Sequence, residues 1–357
     1  MKDPMQRGPF LLLKKHIMMC NKSILPKPAA WLPIVATFLL LCCQGEPSTR
    51  KQAHKPTSRG LPFEMVMIVP RAAYEGELCD TLEAVFKVST PLLPQHEPLF
   101  RVNVTYTDAN LTPWRTFRNR LIIKIDKSLK QPAMGVARNE VALPQLEVMV
   151  EGPSTHILAD FIGENRQRLT DLFVDAELEW EAAQLRRKHS KTTLEALRDV
   201  SGHTICVPTG LRASKRAKDF LWTGTNLVDK DQNFVFYSYP WNGQPLSIGQ
   251  YVAKRDSAMK ANIPGSEPNQ WMQTACDPES RQPLVMSRTR ILNKQYVLEV
   301  HGLWEMHNGA LGGAFVALER IDSAHGLVLC TEGFIYSPQS PKRNLMRERE
   351  AALRTFR

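Results

Sequence analysis

Apolar positions fall into short runs and alternations at the start of the chain's hydrophobic part, the period expected of strands. Glu64 to Val69 (EMVMIV) is a run of strand formers stopped by Pro70, and Phe100 to Tyr106 alternates as a half-buried strand. Leu121 to Asp126 and Leu146 to Val150 read as two more strands, and a helix is expected from Gly76 to Val88. From Ser154 the period changes. Leu158, Ile162, Leu169, Leu172 and Ala176 recur on one stripe with charges between them, predicting a long, bent helix that runs to Leu197 and is ended by Ser201 and Gly202. A single apolar stripe of that length suits a helix laid on the preceding sheet. A coiled-coil partner is the other reading, weakened by a heptad of only about three repeats.

The second half begins again with strands, at Thr204 to Val207, Phe220 to Thr223 and Phe234 to Tyr239, followed by a helix from Ile248 to Ala261. Strands at Leu284 to Arg290, Tyr296 to Met306, Ala314 to Ile321 and Leu327 to Tyr336 come next, and a helix from Pro341 closes the chain. The short turns between the last three predict an antiparallel meander. The fold class is therefore α+β in two lobes, residues 61–200 and 201–357, each a mixed or antiparallel sheet covered by helices. Each lobe ends on a strand and a closing helix, which raises the expectation of an internal duplication.

Ahead of these lobes lies the uncharged stretch Trp31 to Leu41, preceded by Lys14, Lys15, Lys22 and Lys27 and followed by Cys42 and Cys43. A basic segment before eleven apolar residues has the form of a signal peptide and is too short for a span of about 20 residues. Cysteines placed right after the apolar run resemble a bacterial lipoprotein signal, in which a cysteine is acylated, with palmitate-type chains, and becomes the new N-terminus; Cys42, preceded by Leu41, fits that pattern worse than Cys43. Residues 1–42 are thus expected to be a signal peptide, Cys43 the lipidated residue, and residues 43–60, which hold no aliphatic run, a flexible tether. Plain secretion and an uncleaved anchor are the competing readings. The expected location is a bacterial envelope membrane, the outer one before the inner.

Charge adds little to this reading. The formal net charge is +10, but residues 1–42 hold six bases and one acid, leaving 40 bases and 35 acids beyond them. Most of that remainder sits in the last seventeen residues, which read as a solvated helix face. A basic stripe interleaved with aromatics is missing between them, so no nucleic-acid partner is expected. Export would leave Cys79, Cys206, Cys276 and Cys330 free to form disulfides, with three pairings open, or to stay as buried thiols; without C-x-x-C spacing a zinc site is unsupported.

Signatures of nucleotide binding, α/β-hydrolases and zinc proteases are absent, and no cofactor or metal is expected. Ser257 and Lys260 match S-x-x-K but lack its companion motifs, which leaves a solvated helix face as the simpler reading. In the strand Tyr296 to Met306, alternation puts Glu299, His301 and Glu305 on one face, a candidate general base or ligand among acids or else a polar sheet face, with Glu332 and Arg320 able to join. Trp222, Tyr237, Tyr239 and Trp241 form a candidate stacking platform for a sugar or peptide, or simply part of a core.

The strings KPTSRGLPFEMVMIVP (55–70), FLWTGTN (220–226), FVFYSYP (234–240), YVAKRDSAMKANIPG (251–265), GLWEMHNGALGGAFV (302–316) and EGFIYSPQSPKRNLMREREA (332–351) resemble the Bacteroidota lipoprotein family described as domain of unknown function 4837. The resemblance implies an exported envelope lipoprotein and brings no known activity or catalytic residue. It also implies that Asp-[Ser/Thr]-apolar sites are O-glycan acceptors, here Thr81, Ser257 and Ser323, the last in an expected exposed turn. The functional expectation is a lipid-anchored binding or accessory protein with a glycan, peptide or envelope-protein partner. An envelope hydrolase or transferase with a site between the lobes stands second, and a structural scaffold third.

Overall fold

The computed structural model describes residues 55–357; the expected signal segment, Cys43 and most of the expected tether lie outside the described residues. The tether's last residues are paired: isolated bridges join Thr57 to Leu143 and Arg59 to Phe117.

The first sheet has five strands. β1 (Glu64–Val69) lies between β2 (Arg101–Tyr106) and β3 (Asn119–Ile125), all parallel, and β5 (Leu146–Gly152) continues the parallel set beside β3. β4 (Ala133–Arg138) closes the edge antiparallel to β5. Buried on both faces, β1 reads as a continuous apolar run and not an alternation, as a central parallel strand should. α1 (Glu77–Phe86) makes the crossover to β2 and buries Leu78, Leu82, Val85 and Phe86. There the rings of Phe86, Phe100 and Phe173 meet edge to face at 5.9–6.2 Å.

The single bent helix expected over 154–197 is three helices: α2 (Thr155–Glu164), α3 (Arg166–Arg187) and α4 (Lys191–Ser201). Ser154 caps α2 through Ile157 N–H, and Ser190 caps α4 through Thr193 N–H, so each of those starts carries its own side-chain acceptor. Gly202, at φ 74°, ends α4 in the left-handed conformation a glycine adopts without penalty. The strand expected at Thr204 to Val207 is absent. Those residues run as irregular backbone, and Thr204 exchanges two backbone hydrogen bonds with Arg357 (2.9 and 3.0 Å).

The second sheet has eight strands. Its path is β10 (Val285–Leu292), β11 (Gln295–His307), β12 (Gly312–Asp322), β13 (Leu327–Tyr336), β8 (Asp231–Pro240), β7 (Phe220–Gly224) and β6 (Ala213–Ala217), with β9 (Trp271–Thr274) paired to the far end of β11. All its pairings are antiparallel, and β11, β12 and β13 form the expected meander. One face meets α3 and α6 (Arg343–Leu353); the other is covered by α5 (Ile248–Asn262). A mixed five-stranded order and an antiparallel eight-stranded order share no topology, which ends the expectation of a duplicated lobe. One core cluster runs from Met65 and Phe86 through α3 to Val316, Leu329 and Phe356.

The charged C-terminal helix is also not a solvated face. In and just beyond α6, Arg347, Arg349, Glu350 and Arg354 are all buried. Arg349 instead lies over the Phe234 ring at 5.0 Å and against Gly333, where an added Cβ would come 2.7 Å from its own Cβ. That close approach explains a glycine in the middle of a strand.

Candidate functional site

α1, α3, β10, β11 and α6 leave a cavity of about 650 Å³ between the two sheets. Its apolar wall comes from Val85, Leu99, Val174 and Met286, and its polar wall from Arg166, Arg288, Glu299, His301 and Arg347. A strand alternates its faces, so Glu299 and His301, two residues apart, point the same way, and across the antiparallel register Arg288 stands opposite Glu299.

Glu299 is the centre of the polar wall and is fully buried. His301 Nε2 lies 3.2 Å from its Oε1, Arg288 Nε donates to the same oxygen at 2.7 Å, and Arg290 Nη1 stands 3.6 Å from Oε2. Burial alone would raise this carboxyl. The His301 hydrogen bond and the adjacent cations more than offset it and hold the group down to about 2. Glu299 is therefore a fixed anion that orients His301 and not a proton donor.

Ion pairs continue into α3 and α6. Arg288 reaches Asp171 at 3.0 Å, Arg290 reaches Asp175 at 2.6 Å, and Arg354 reaches the same aspartate at 2.9 Å and Glu350 at 3.3 Å. Arg347 pairs with Glu350 at 2.6 Å. Glu299, His301 and Glu350 come close enough together to share a metal ion. Guanidinium groups already occupy both carboxylates, so a divalent cation there would sit among four arginines; the donor set suits an ion-pair lattice better than a metal. A second cluster, Glu77, His156 and Asp160, lies exposed where α1 meets α2.

The structure separates the other sequence candidates from this wall. Glu305 accepts from Gln273 at 2.9 Å, outside the cavity. Arg320 lies over the Phe356 ring at 4.3 Å and donates to Gln295. Glu332 is on the opposite sheet face beneath α5. Tyr251 and Arg255, one helical turn apart, close on it there: Arg255 grips it with bonds of 2.7 and 2.9 Å, and Tyr251 OH donates at 3.1 Å. Arg255 is fully buried over the Phe315 ring at 4.0 Å.

Tyr237 and Tyr239 are buried in that same layer, Tyr239 OH donating to Glu319 at 2.5 Å, which takes both out of reach of a stacked ligand. Trp222 and Trp241 are half-buried against the layer, with Trp222 bonded to Asn233 and Trp241 to the Gln244 carbonyl. Ser257 is exposed on α5. Lys260 does not meet it, lying instead 3.8 Å from the Trp271 ring centroid. Ser323 is exposed in the β12–β13 turn and Thr81 is half-buried in α1. Cys79, Cys206, Cys276 and Cys330 carry free thiols.

Asp171, Asp175, Arg288, Arg290, Arg347 and Glu350 were invisible as a set in the sequence. Their only common signal is charge placed at otherwise inward positions of a strand or helix. Residues 190–355 match the family model described as Domain of unknown function (DUF4837), and residues 58–186 match a second, Domain of unknown function (DUF8532). The cavity draws its walls from both segments. No curated protein matches the chain.

Proposed function

We propose that this chain, whose residues 190–355 belong to the family described as domain of unknown function 4837, is a lipid-anchored envelope protein that binds a small ligand between its sheets. The observation that carries the binding reading is the cavity of about 650 Å³, within the usual range of roughly 300–1,000 Å³ for ligand sites and combining apolar wall with convergent polar groups. The anchor rests on Trp31 to Leu41 followed by Cys43. No helix among the described residues is long and apolar enough to cross a membrane.

Two measurements test the two parts. Cys43→Ser is expected to abolish fatty-acid labelling and release the protein from the membrane fraction; a labelled, membrane-bound variant sinks the anchor. Protein from the native host, denatured and analysed by mass spectrometry, is expected to release a small molecule that a Val88→Trp protein lacks, because Val88 is half-exposed at the cavity lining. Identical extracts from both proteins count against the cavity.

A hydrolase is the second reading, favoured by the His301–Glu299 contact on the cavity wall. A histidine oriented by a buried carboxylate is the usual form of a general base. Among the described residues, however, no hydroxyl or thiol is hydrogen-bonded to His301. An ester-cleaving activity lost in His301→Ala would promote this reading over the first.

A further inference from the structure

Counted along the cavity wall, three guanidinium groups, Arg166, Arg288 and Arg347, face two carboxylates, Asp171 and Glu299. They differ in how fully they are used. Arg288 is held between both carboxylates, at 3.0 and 2.7 Å. Arg347 spends one nitrogen on Glu350, while its Nε is buried without a hydrogen-bond partner. Arg166 stands exposed in the first turn of α3 and makes no ion pair or side-chain hydrogen bond among the described residues. It shares the wall with Gln167 of the same turn and with Thr90, a buried residue whose Oγ1 also lacks a partner.

These unspent groups are donors on one cavity wall: a guanidinium, a second guanidinium's Nε–H, a hydroxyl and an amide. Two of them, Arg166 and Gln167, stand in the first turn of a helix of 22 residues, where the aligned peptide dipoles add positive potential. Buried donors without acceptors are costly and are normally satisfied by something. Elsewhere in the lining, Val85, Leu99, Val174 and Met286 present no charge and no hydrogen-bonding side chain.

We infer that the cavity takes a monocarboxylate with an apolar alkyl or aryl body, its carboxylate received by Arg166, Arg347 and Thr90 and its body against the apolar wall. This deepens the binding reading above and rests on it. Arg288 and Arg347 have carboxylate partners, so one anionic group matches the one wall cation, Arg166, that has none among the described residues; a dianion would leave charge unpaired, and a cation would meet Arg166 unscreened.

The test uses three probes that differ only in the terminal group: 4-phenylbutyrate, 4-phenylbutanol and 4-phenylbutylamine. They are titrated against the full chain carrying Cys43→Ser, so that no detergent competes. Phenylbutyrate is expected to bind at least about tenfold tighter than the alcohol or the amine, and Arg166→Gln to remove most of that preference, as loss of a charge-assisted hydrogen bond does. Arg166 is exposed, so this change leaves packing alone. Val88→Trp is expected to weaken all three.

Three probes that bind alike and are all blocked by Val88→Trp would overturn the carboxylate inference and leave the cavity standing. A preference for phenylbutyrate that Arg166→Gln leaves unchanged would overturn the assignment of that residue and the inference with it. Binding indifferent to Val88→Trp would place the ligand elsewhere and overturn both. No binding by any probe would overturn the ligand class, with the molecule released from the native protein then deciding the cavity independently.

Discussion

Glu332→Ala is expected to destabilise the fold by roughly 3–5 kcal/mol, the usual cost of leaving one partner of a buried ion pair uncompensated. Arg255 has no exposed surface and gives two hydrogen bonds to this carboxylate, so removing it strands a guanidinium beneath α5 together with the Tyr251 hydroxyl. In the intact protein Glu332, Tyr251 and Asp256 more than offset the burial that would favour the neutral arginine. With Glu332 gone the guanidinium still does not give up its proton, as arginines in proteins do not, so it cannot escape the penalty by neutralising. The double change Arg255→Met with Glu332→Leu is expected to recover most of the loss, because Met259, Met272 and Phe315 already supply an apolar surround. Urea unfolding of the three variants measures both effects. A loss below about 1 kcal/mol for Glu332→Ala would mean that water reaches this layer.

Glu319, on the same sheet face, is expected to make stability fall as pH rises. Burial pushes its carboxyl up to about 7 from an ordinary 4.5, and the Tyr239 hydroxyl opposes this only in part. Above pH 4.5 the unfolded chain has lost this proton while the folded one keeps it. The native state then binds more protons, and stability decreases between about pH 4.5 and 7, levelling off above. The full difference is on the order of 3 kcal/mol, about 1.4 kcal/mol for each unit between 4.5 and 7. In Glu319→Gln an amide stands in for the protonated acid and still accepts from Tyr239. Wild type and variant are expected to match near pH 4 and to diverge by pH 8 in favour of the variant. Comparing the two cancels groups that act in the opposite sense, such as Glu299, whose stabilisation is lost as pH falls toward 2. Parallel profiles would show that Glu319 is ionised in the native protein throughout.

Both predictions concern groups that the sequence pattern makes look external. The meander of β11, β12 and β13 is legible because its strands are long, its turns short and its alternation regular. A polar residue at every second position normally marks solvent, however, and here the sheet is covered on both faces. Glu299 lies on the face toward α3 and α6; Glu319 and Glu332 lie on the face toward α5, where Glu332 meets Tyr251 and Arg255 and Glu319 meets Tyr239. Alternation gave the pairing of Glu299 with His301 because that depends only on their spacing of two. Asp171 and Asp175, the aspartates that share Arg288 and Arg290 with Glu299, lie on a helix more than a hundred residues before those arginines, and no local period reports such a contact. β4, β6 and β9 escape for the opposite reason. They are short edge or side strands, β6 (ASKRA) being almost wholly exposed and basic, and their backbones pair without any apolar face to announce it.

α3 serves two masters. Leu169, Phe173 and Ala176 complete the core of the parallel sheet, while Asp171 and Asp175, on the turns between, hold the arginines of β10. The helix belongs to the segment matched by one family and its ionic partners to the segment matched by the other. Exchanging the second segment for an unrelated one would leave Asp171 and Asp175 facing no cation, and exchanging the first would leave Arg288 and Arg290 with Glu299 alone, at a partly buried seam. The two segments are thus expected to depend on each other at this seam, so that swapping either one alone costs stability that neither segment's own core would account for.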